Sequence, residues 1–290
     1  MSAGQKLFHE LGICQSSYIT ASEIPEDVRN TWIDSRAQSE LRVVSKKTKI
    51  SDDSLLVITS QNCDIACTND DLDSAVEIAI FKPIKTKQVF PGNQFVKSVR
   101  KLQIQIDEQW FEAKVEYLIT VQKSSLCELL TEKTEIKLLP EVYDKSLPLW
   151  RANRYLRTAL PDTFNSVLFP VFGEHLSNLE TVASKENNGS YIRALYIWLN
   201  TLEEVDHYTF EFFALTTADT PDEVLSNIQD YIETISLELV EQAGYDESDE
   251  SIYAGRDSTT YVSYLTRFVA INLDYVSLAE NDDDTGPQQL

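Results

Sequence analysis

The sequence predicts an α+β protein, with a β-rich N-terminal half and a C-terminal half of helices packed on a small antiparallel sheet. Three observations predict it. Alternating or continuous apolar runs dominate residues 54–139. Helical spacing with capping residues takes over from Ser146. An aromatic-rich run, YTFEFFALT at 208–216, then precedes the clearest amphipathic helix of the chain.

Each element follows from local pattern. Residues 20–45 are partly helical around Pro25 to Glu40. Ser54 to Ile65 carries the apolar core Leu55 to Ile58, which suits a strand buried on both faces. Ala75 to Ile84 alternates through Val76, Ile78 and Ile80. Lys101 to Ile106 alternates too, turns at Asp107-Glu108 and returns as Trp110 to Val121. Thr134 to Leu139 is short and extended. Ser146 and Pro148 start a helix on which Leu149, Ala152, Leu156 and Ala159 recur at helical spacing. Pro161 ends it and Asp162 caps the next, which Pro170 and Gly173 are expected to kink or interrupt.

Lys185 to Ser190 reads as an exposed loop. Ala194 to Leu199 pairs with Tyr208 to Thr216 as a hairpin. Thr220 is the expected cap of the following helix, with Pro221 in its first position. Its apolar stripe is Val224, Ile228, Tyr231, Ile235 and Leu239, and Gly244 is its expected end. Asp246 to Glu250 reads as an acidic loop, and Tyr261 to Leu278 as a strand or a last helix. The expected division is 1–145, a β-rich region; 146–279, an acidic α+β region; and 280–290, a disordered tail.

Charge separates the halves. The chain has 290 residues and a net charge of −22. Residues 1–150 hold 18 basic and 22 acidic residues, a net of −4, whereas 151–290 hold seven and 25, a net of −18. Such a field repels nucleic-acid phosphates and anionic membranes. It favours a basic protein partner, or serves solubility. No apolar run approaches the ~20 residues that span a bilayer, and residues 1–14 lack a basic start and apolar run, so a cytoplasmic protein is expected. Cys14, Cys63, Cys67 and Cys127 offer one close pair, C-x3-C, and not the two that zinc frameworks use. The expectation is buried free thiols, with no metal and no cofactor.

Three constellations could carry chemistry. Gln61, Cys63 and Asp64 follow a buried strand, where a fold presents reactive groups. A carboxylate beside a thiol nevertheless disfavours the thiolate, and a nucleophilic Cys needs a base or a positive field. The other reading is a polar turn. Asp64 with Glu77 and Lys82, or Asp107 with Glu112 and Lys114, could form the carboxylate–lysine set of a nuclease using a divalent metal. The alternative is exposed hairpin charge. Arg151, Arg154 and Arg157 lie three apart on one side of a helix and could grip an anionic small ligand, or pair with the surrounding acids. Phosphate-binding glycine loops, G-x-S-x-G and H-E-x-x-H are absent from the sequence.

Most of residues 55–278 resemble a widespread set of bacterial proteins to which no activity is assigned. The resemblance rests on Ser60-Gln61-Asn62-Cys63-Asp64-Ile65, matching [ST]-Q-x-C-D-apolar, then Val76-Glu77-Ile78 and Pro83. It continues through Trp150 to Asp162, with Arg154, Tyr155, Arg157, Ala159, Pro161 and Asp162 in place, Phe210 to Thr217, and Asp274 to Leu278. It implies a bacterial protein and an accessory or phage-defence component. Together with the lack of a complete catalytic set, this leads to a non-catalytic or regulatory protein that works through protein contacts. A phosphodiester-acting enzyme and an anion sensor are the alternatives.

Overall fold

The computed structural model describes residues 1–39, 49–93, 98, 100–144, 146–156, 160–186 and 189–271, the side chains of 35–39, 144 and 153–156 excepted. The fold is α+β. It divides into two compact units, Met1–Val89 with Arg100–Ala152, and Phe90–Val99 with Asn153–Leu290.

The first unit is built on a six-stranded sheet. Its strands are β1 (Ser17–Thr20), β2 (Leu55–Ile58), β3 (Ala75–Ile84), β4 (Lys101–Ile106), β5 (Gln109–Gln122) and β6 (Lys137–Leu138), in spatial order β4-β5-β3-β2-β1-β6. All four residues of β2 are buried, as its apolar run requires. The β4–β5 turn is Asp107-Glu108, and Asp107 takes φ 53°, a left-handed value that Asp tolerates better than most residues. Opposite the single Ile80 of β3, β5 carries residues 114–117 as an insertion between the pairs Ala79↔Leu118 and Phe81↔Ala113.

Alternation sorts the sheet's side chains. Leu56, Ile58, Val76, Ile78 and Ile80 join one core, with Trp32 of helix α1 (Glu26–Ser39). Leu55, Val57, Ala79 and Phe81 join the other, with Leu147 and Trp150 of helix α4 (Ser146–Leu156). Among the short helices between α1 and α4 are α2 (Asn62–Ile65) and α3 (Lys123–Leu129). The buried face of α4 corrects the expected stripe. Leu149 and Ala152 are exposed, while Ser146, Leu147 and Trp150 are buried. Two faces of this helix fit a 3.6-residue period. The indole, with its large apolar area, decides between them.

The second unit packs two helices on a five-stranded sheet. The helices are α5 (Asp162–Val182) and α6 (Asp222–Val240); the strands are β7 (Ile192–Leu199), β8 (Tyr208–Thr216), β9 (Tyr245–Glu247), β10 (Tyr253–Arg256) and β11 (Val269–Ala270). β7 and β8 form the expected antiparallel hairpin, but β9 and β10 both run parallel to β8, so the sheet is mixed. Phe164, Leu168, Phe172, Leu176 and Leu179 of α5 pack with Ile228, Ile232, Ile235 and Leu239 of α6 on Phe210, Phe212 and Ala214.

Several local expectations shift. α5 runs unbroken through Pro170 and Gly173. The ring of Pro170 faces solvent, and apolar ridges on both sides of it are buried, which offsets the ~3 kcal/mol penalty of an interior proline. Asp162 does not cap α5. Its first amides instead donate to the distant Glu204 carboxylate, at 2.5 Å from Asp162 N and 3.2 Å from Thr163 N. Those bonds, led by that of the Thr163 hydroxyl, hold the Glu204 pKa below the usual carboxyl range.

α6 begins at Asp222 with Pro221 as its cap residue, because the Thr220 hydroxyl is spent on the Thr217 carbonyl (2.7 Å). Gly244 lies beyond the helix end and serves the turn into β9. There φ is 88°, and a Cβ would meet the Asp206 carbonyl at 2.4 Å. The expected acidic loop donates Asp246 and Glu247 to β9. Within the expected loop, Ser184–Lys185 pairs with Gly189–Ser190 as a small antiparallel ladder. Val262–Leu265 is a single helical turn (α7) ahead of β11. The expected tail, 280–290, lies outside the described residues, as does Asp274 to Leu278.

At the edge of the second unit Lys185 pairs with Asp219. The Lys185 bond, then that of Thr217, holds the Asp219 carboxyl at about 2 instead of 3.8. A depressed acid stabilises the fold above its unfolded pKa and loses that contribution as pH falls through the folded value. Carboxyl-detected NMR titration should therefore find Asp219 still ionised at pH 3, and Lys185→Met should raise its pKa toward the ordinary range, with the Thr217 bond left in place.

Candidate functional site at the end of the second strand

β2 ends at Ile58, and the chain turns through Thr59 to Gln61 into the single-turn helix α2. Both strand-end hydroxyls are engaged with Glu77 on the neighbouring β3. Thr59 Oγ1 donates to Glu77 Oε1 (2.7 Å), and the Glu77 amide donates to Ser60 Oγ (2.8 Å). Glu77 in turn accepts a two-pronged contact from Arg151 of α4, Nε at 2.8 Å and the terminal nitrogen at 2.6 Å. Planar guanidinium and carboxylate match in this geometry. Both side chains keep a quarter to a third of their surface, 24% and 32%.

The same corner is braced from two more directions. Asn62 Oδ1 accepts from the Gln15 amide (2.7 Å), and Gln15 Nε2 donates to the Thr59 carbonyl (3.0 Å). Beneath α2, the fully buried Lys123 directs its ammonium at the carbonyls of Asp64 (2.5 Å) and Asp73 (2.6 Å), with the Asp73 carboxylate at 3.6 Å. On this frame Gln61, Cys63 and Asp64 present exposed side chains. Cys63 Sγ donates weakly to Asp64 Oδ1 (3.4 Å) and Gln61 Oε1 (3.7 Å).

Cys63 is thus exposed, not buried as expected. Cys14, Cys67 and Cys127 are half-buried, and all four thiols are free. The turn α2 places residue 63 on the solvent side of Ile65, which takes the core position. A base for Cys63 is missing among the described contacts. The His175 ring bonds Tyr231 and Glu238, and His207 pairs with Asp246.

The two carboxylate–lysine sets do not assemble. Glu77 is neutralised by Arg151, and alternation along β3 puts Lys82 on the opposite sheet face from Glu77. Lys82 instead stacks on Tyr117, 4.4 Å from the ring centre, and burial, then Lys114, lowers its pKa. Glu112 accepts from Gln103 (2.9 Å), Lys114 lies two residues along the same face, and Asp107 sits in the β4–β5 turn. Among the described residues no three His, Cys, Asp or Glu side chains gather as metal ligands would. Of the arginine set, Arg151 pairs with Glu77; the side chain of Arg154 and the whole of Arg157 lie outside the described residues.

Sequence reasoning singled out Ser60 as part of the motif but missed Thr59, Gln15 and Lys123 as supports of this corner. Lys123 alone left a trace, a single lysine closing the apolar strand Trp110 to Val121. Gln15 left none, since its contact crosses 47 residues.

Glu77→Gln is expected to destabilise the first unit by about 1–3 kcal/mol, discounted for the partial exposure of the pair. In urea unfolding, a double-mutant cycle with Arg151→Met should return a coupling near 1–2 kcal/mol. Additive single effects would remove the pair as a structural tie.

Fold and corner together define an α+β protein that presents a braced, solvent-facing polar turn, with no assembled catalytic set among the described residues. No helix among these residues is long and apolar enough to cross a membrane. Comparison with protein-family models, curated proteins and solved structures found no match.

Proposed function

We infer that this protein works by binding another protein and not by catalysis, and that a basic surface of the partner meets its acidic C-terminal half. One observation carries the reading. Residues 151–290 hold seven basic residues, and each of the five with a described side chain is already answered by an acid: Arg151 by Glu77, Lys185 by Asp219, Arg193 by Asp257, Arg256 by Asp222 and Arg267 by Glu211. The excess of carboxylates therefore faces solvent with little internal cation left to offset it. A field of that sign accelerates encounter with basic surfaces and repels phosphate.

The motif resemblance supports a bacterial protein with an accessory role in a phage-defence module, and the lack of a basic start and apolar run in residues 1–14 supports a cytoplasmic setting. The test uses the full chain as bait in its host, with quantitative cross-linking. A partner should be captured by the parent and lost, by tenfold or so, when exposed Glu241, Asp249 and Glu250 are neutralised together (E241Q, D249N, E250Q). A parent that captures nothing, or a partner held equally by both proteins, overturns the reading.

A further inference from the structure

In the first unit, away from the strand-end corner, an open cavity of about 530 Å³ lies beside the β4–β5 turn. That volume is in the range of small-molecule sites, ~300–1,000 Å³. Its wall is apolar at Leu55, Ile106 and Phe111, and its polar groups include Tyr18, Asp107, Glu108 and Lys137.

Tyr18 is the unusual member. It is only 7% exposed and held by backbone pairing to both β2 and β6, while its hydroxyl keeps access to the cavity and has no protein hydrogen-bond partner among the described residues. Burial raises its pKa; Lys137 lowers it, and Asp107 and Glu135 raise it again. It is therefore a neutral hydroxyl at pH 7, able to donate once and to accept.

The charges around it have a definite sign. Lys137 is answered by Glu135 at 3.1 Å. Asp107 and Glu108 have no hydrogen bond or ion pair among the described residues. The cavity thus combines an apolar wall, two carboxylates without an ion-pair partner and a phenol oxygen without a protein partner. An anion is repelled there. A quaternary ammonium would leave the phenol oxygen unmet, because it has no N–H to donate.

We propose that this cavity binds a small amphipathic organic cation, a primary amine on an apolar body. The ammonium donates to the Asp107 and Glu108 carboxylates and to the Tyr18 oxygen, and the hydrocarbon lies on Phe111, Ile106 and Leu55. The site differs in place and in sign from any anion grip on the helix carrying Arg151.

The test titrates the full chain with phenethylamine at ~0.15 M salt, where diffuse attraction to an acidic protein is screened. Amide NMR shifts are the readout, with 2-phenylethanol and 3-phenylpropionate as neutral and anionic isosteres. Saturable shifts at residues 106–111 are expected with the amine, weaker ones with the alcohol and the weakest with the acid.

Tyr18→Phe is the decisive variant, since it changes no charge and removes no hydrogen bond from the folded protein. It should leave the melting temperature in place and weaken the amine about three- to tenfold. D107N/E108Q should weaken it about tenfold or more, and asparagine keeps the left-handed turn at 107 accessible. Absence of saturation, equal binding of amine and acid, or an unchanged affinity in Tyr18→Phe each overturns the proposal.

Discussion

Lys123→Met should be the most damaging single substitution of a charged residue in the first unit, lowering its stability by about 3–5 kcal/mol. The side chain is fully buried, and its ammonium serves the carbonyls of Asp64 and Asp73 and faces the Asp73 carboxylate. Methionine preserves the stem and its packing. It leaves two carbonyls and a half-buried carboxylate without their donor, and each such loss carries a desolvation penalty of ~1–3 kcal/mol. The effect has a local signature as well. α2 is one turn long and cannot hold itself, since isolated helices of that length do not form. Without Lys123 the turn should loosen, and alkylation of the exposed Cys63 should quicken at denaturant concentrations where the rest of the unit stays folded. A loss below ~1 kcal/mol with unchanged alkylation would mean that the lysine is a passenger.

Glu211→Ala should cost the second unit about 3 kcal/mol or more. The Glu211 side chain sits in the middle of β8 with no exposed surface, and accepts from the Tyr264 hydroxyl and from Arg267. These two donors come from the segment containing α7, so one carboxylate fastens that segment to the sheet. Arg267 also lies over the rings of Trp198, Tyr264 and Phe268, at 5.8, 4.9 and 5.2 Å. Alanine would strand the phenol and the guanidinium together, whereas glutamine keeps an acceptor for one of them, so E211Q should lose less.

The pH dependence of this contact has an unusual sign. Burial raises the Glu211 pKa, against the opposing pull of Tyr264 and Arg267. A raised folded pKa means that the contribution is complete below the unfolded value, ~4.3, and is lost as pH rises through the folded one. Asp219, whose pKa is depressed, behaves in the opposite way. The measurable quantity is therefore the stability difference between parent and E211Q from pH 4 to pH 8. It should shrink as pH rises. A difference that grows would show that the ion pair with Arg267 outweighs burial at this site.

Both of these residues illustrate what a linear pattern leaves out. Glu211 lies within YTFEFFALT, which is legible as a strand because its aromatic residues pack on a pleated surface. Its role was not legible, because its partners are 53 and 56 residues away. The Glu77–Arg151 tie was invisible for the same reason, although both residues stood out individually. Glu77 looked like a metal ligand and Arg151 like an anion grip, and each turned out to answer the other. The stripe chosen for α4 failed because two helical faces satisfied the period, and only the room available beside Phe81 and Leu147 selected Trp150.

By itself the sequence determined the fold class, the β2, β3, β4–β5 and β7–β8 strands, helices α1, α5 and α6, and the segregation of charge. These follow from periodicity, turn chemistry and composition, all local along the chain. Tertiary structure decided the parallel strands beside β8, the continuity of α5 across Pro170, the capping of α5 by Glu204, and the partner of every buried charge. Those outcomes depend on which side chains meet across tens of residues, where burial of a shared face outweighs local preference and each desolvated charge must find its counterpart.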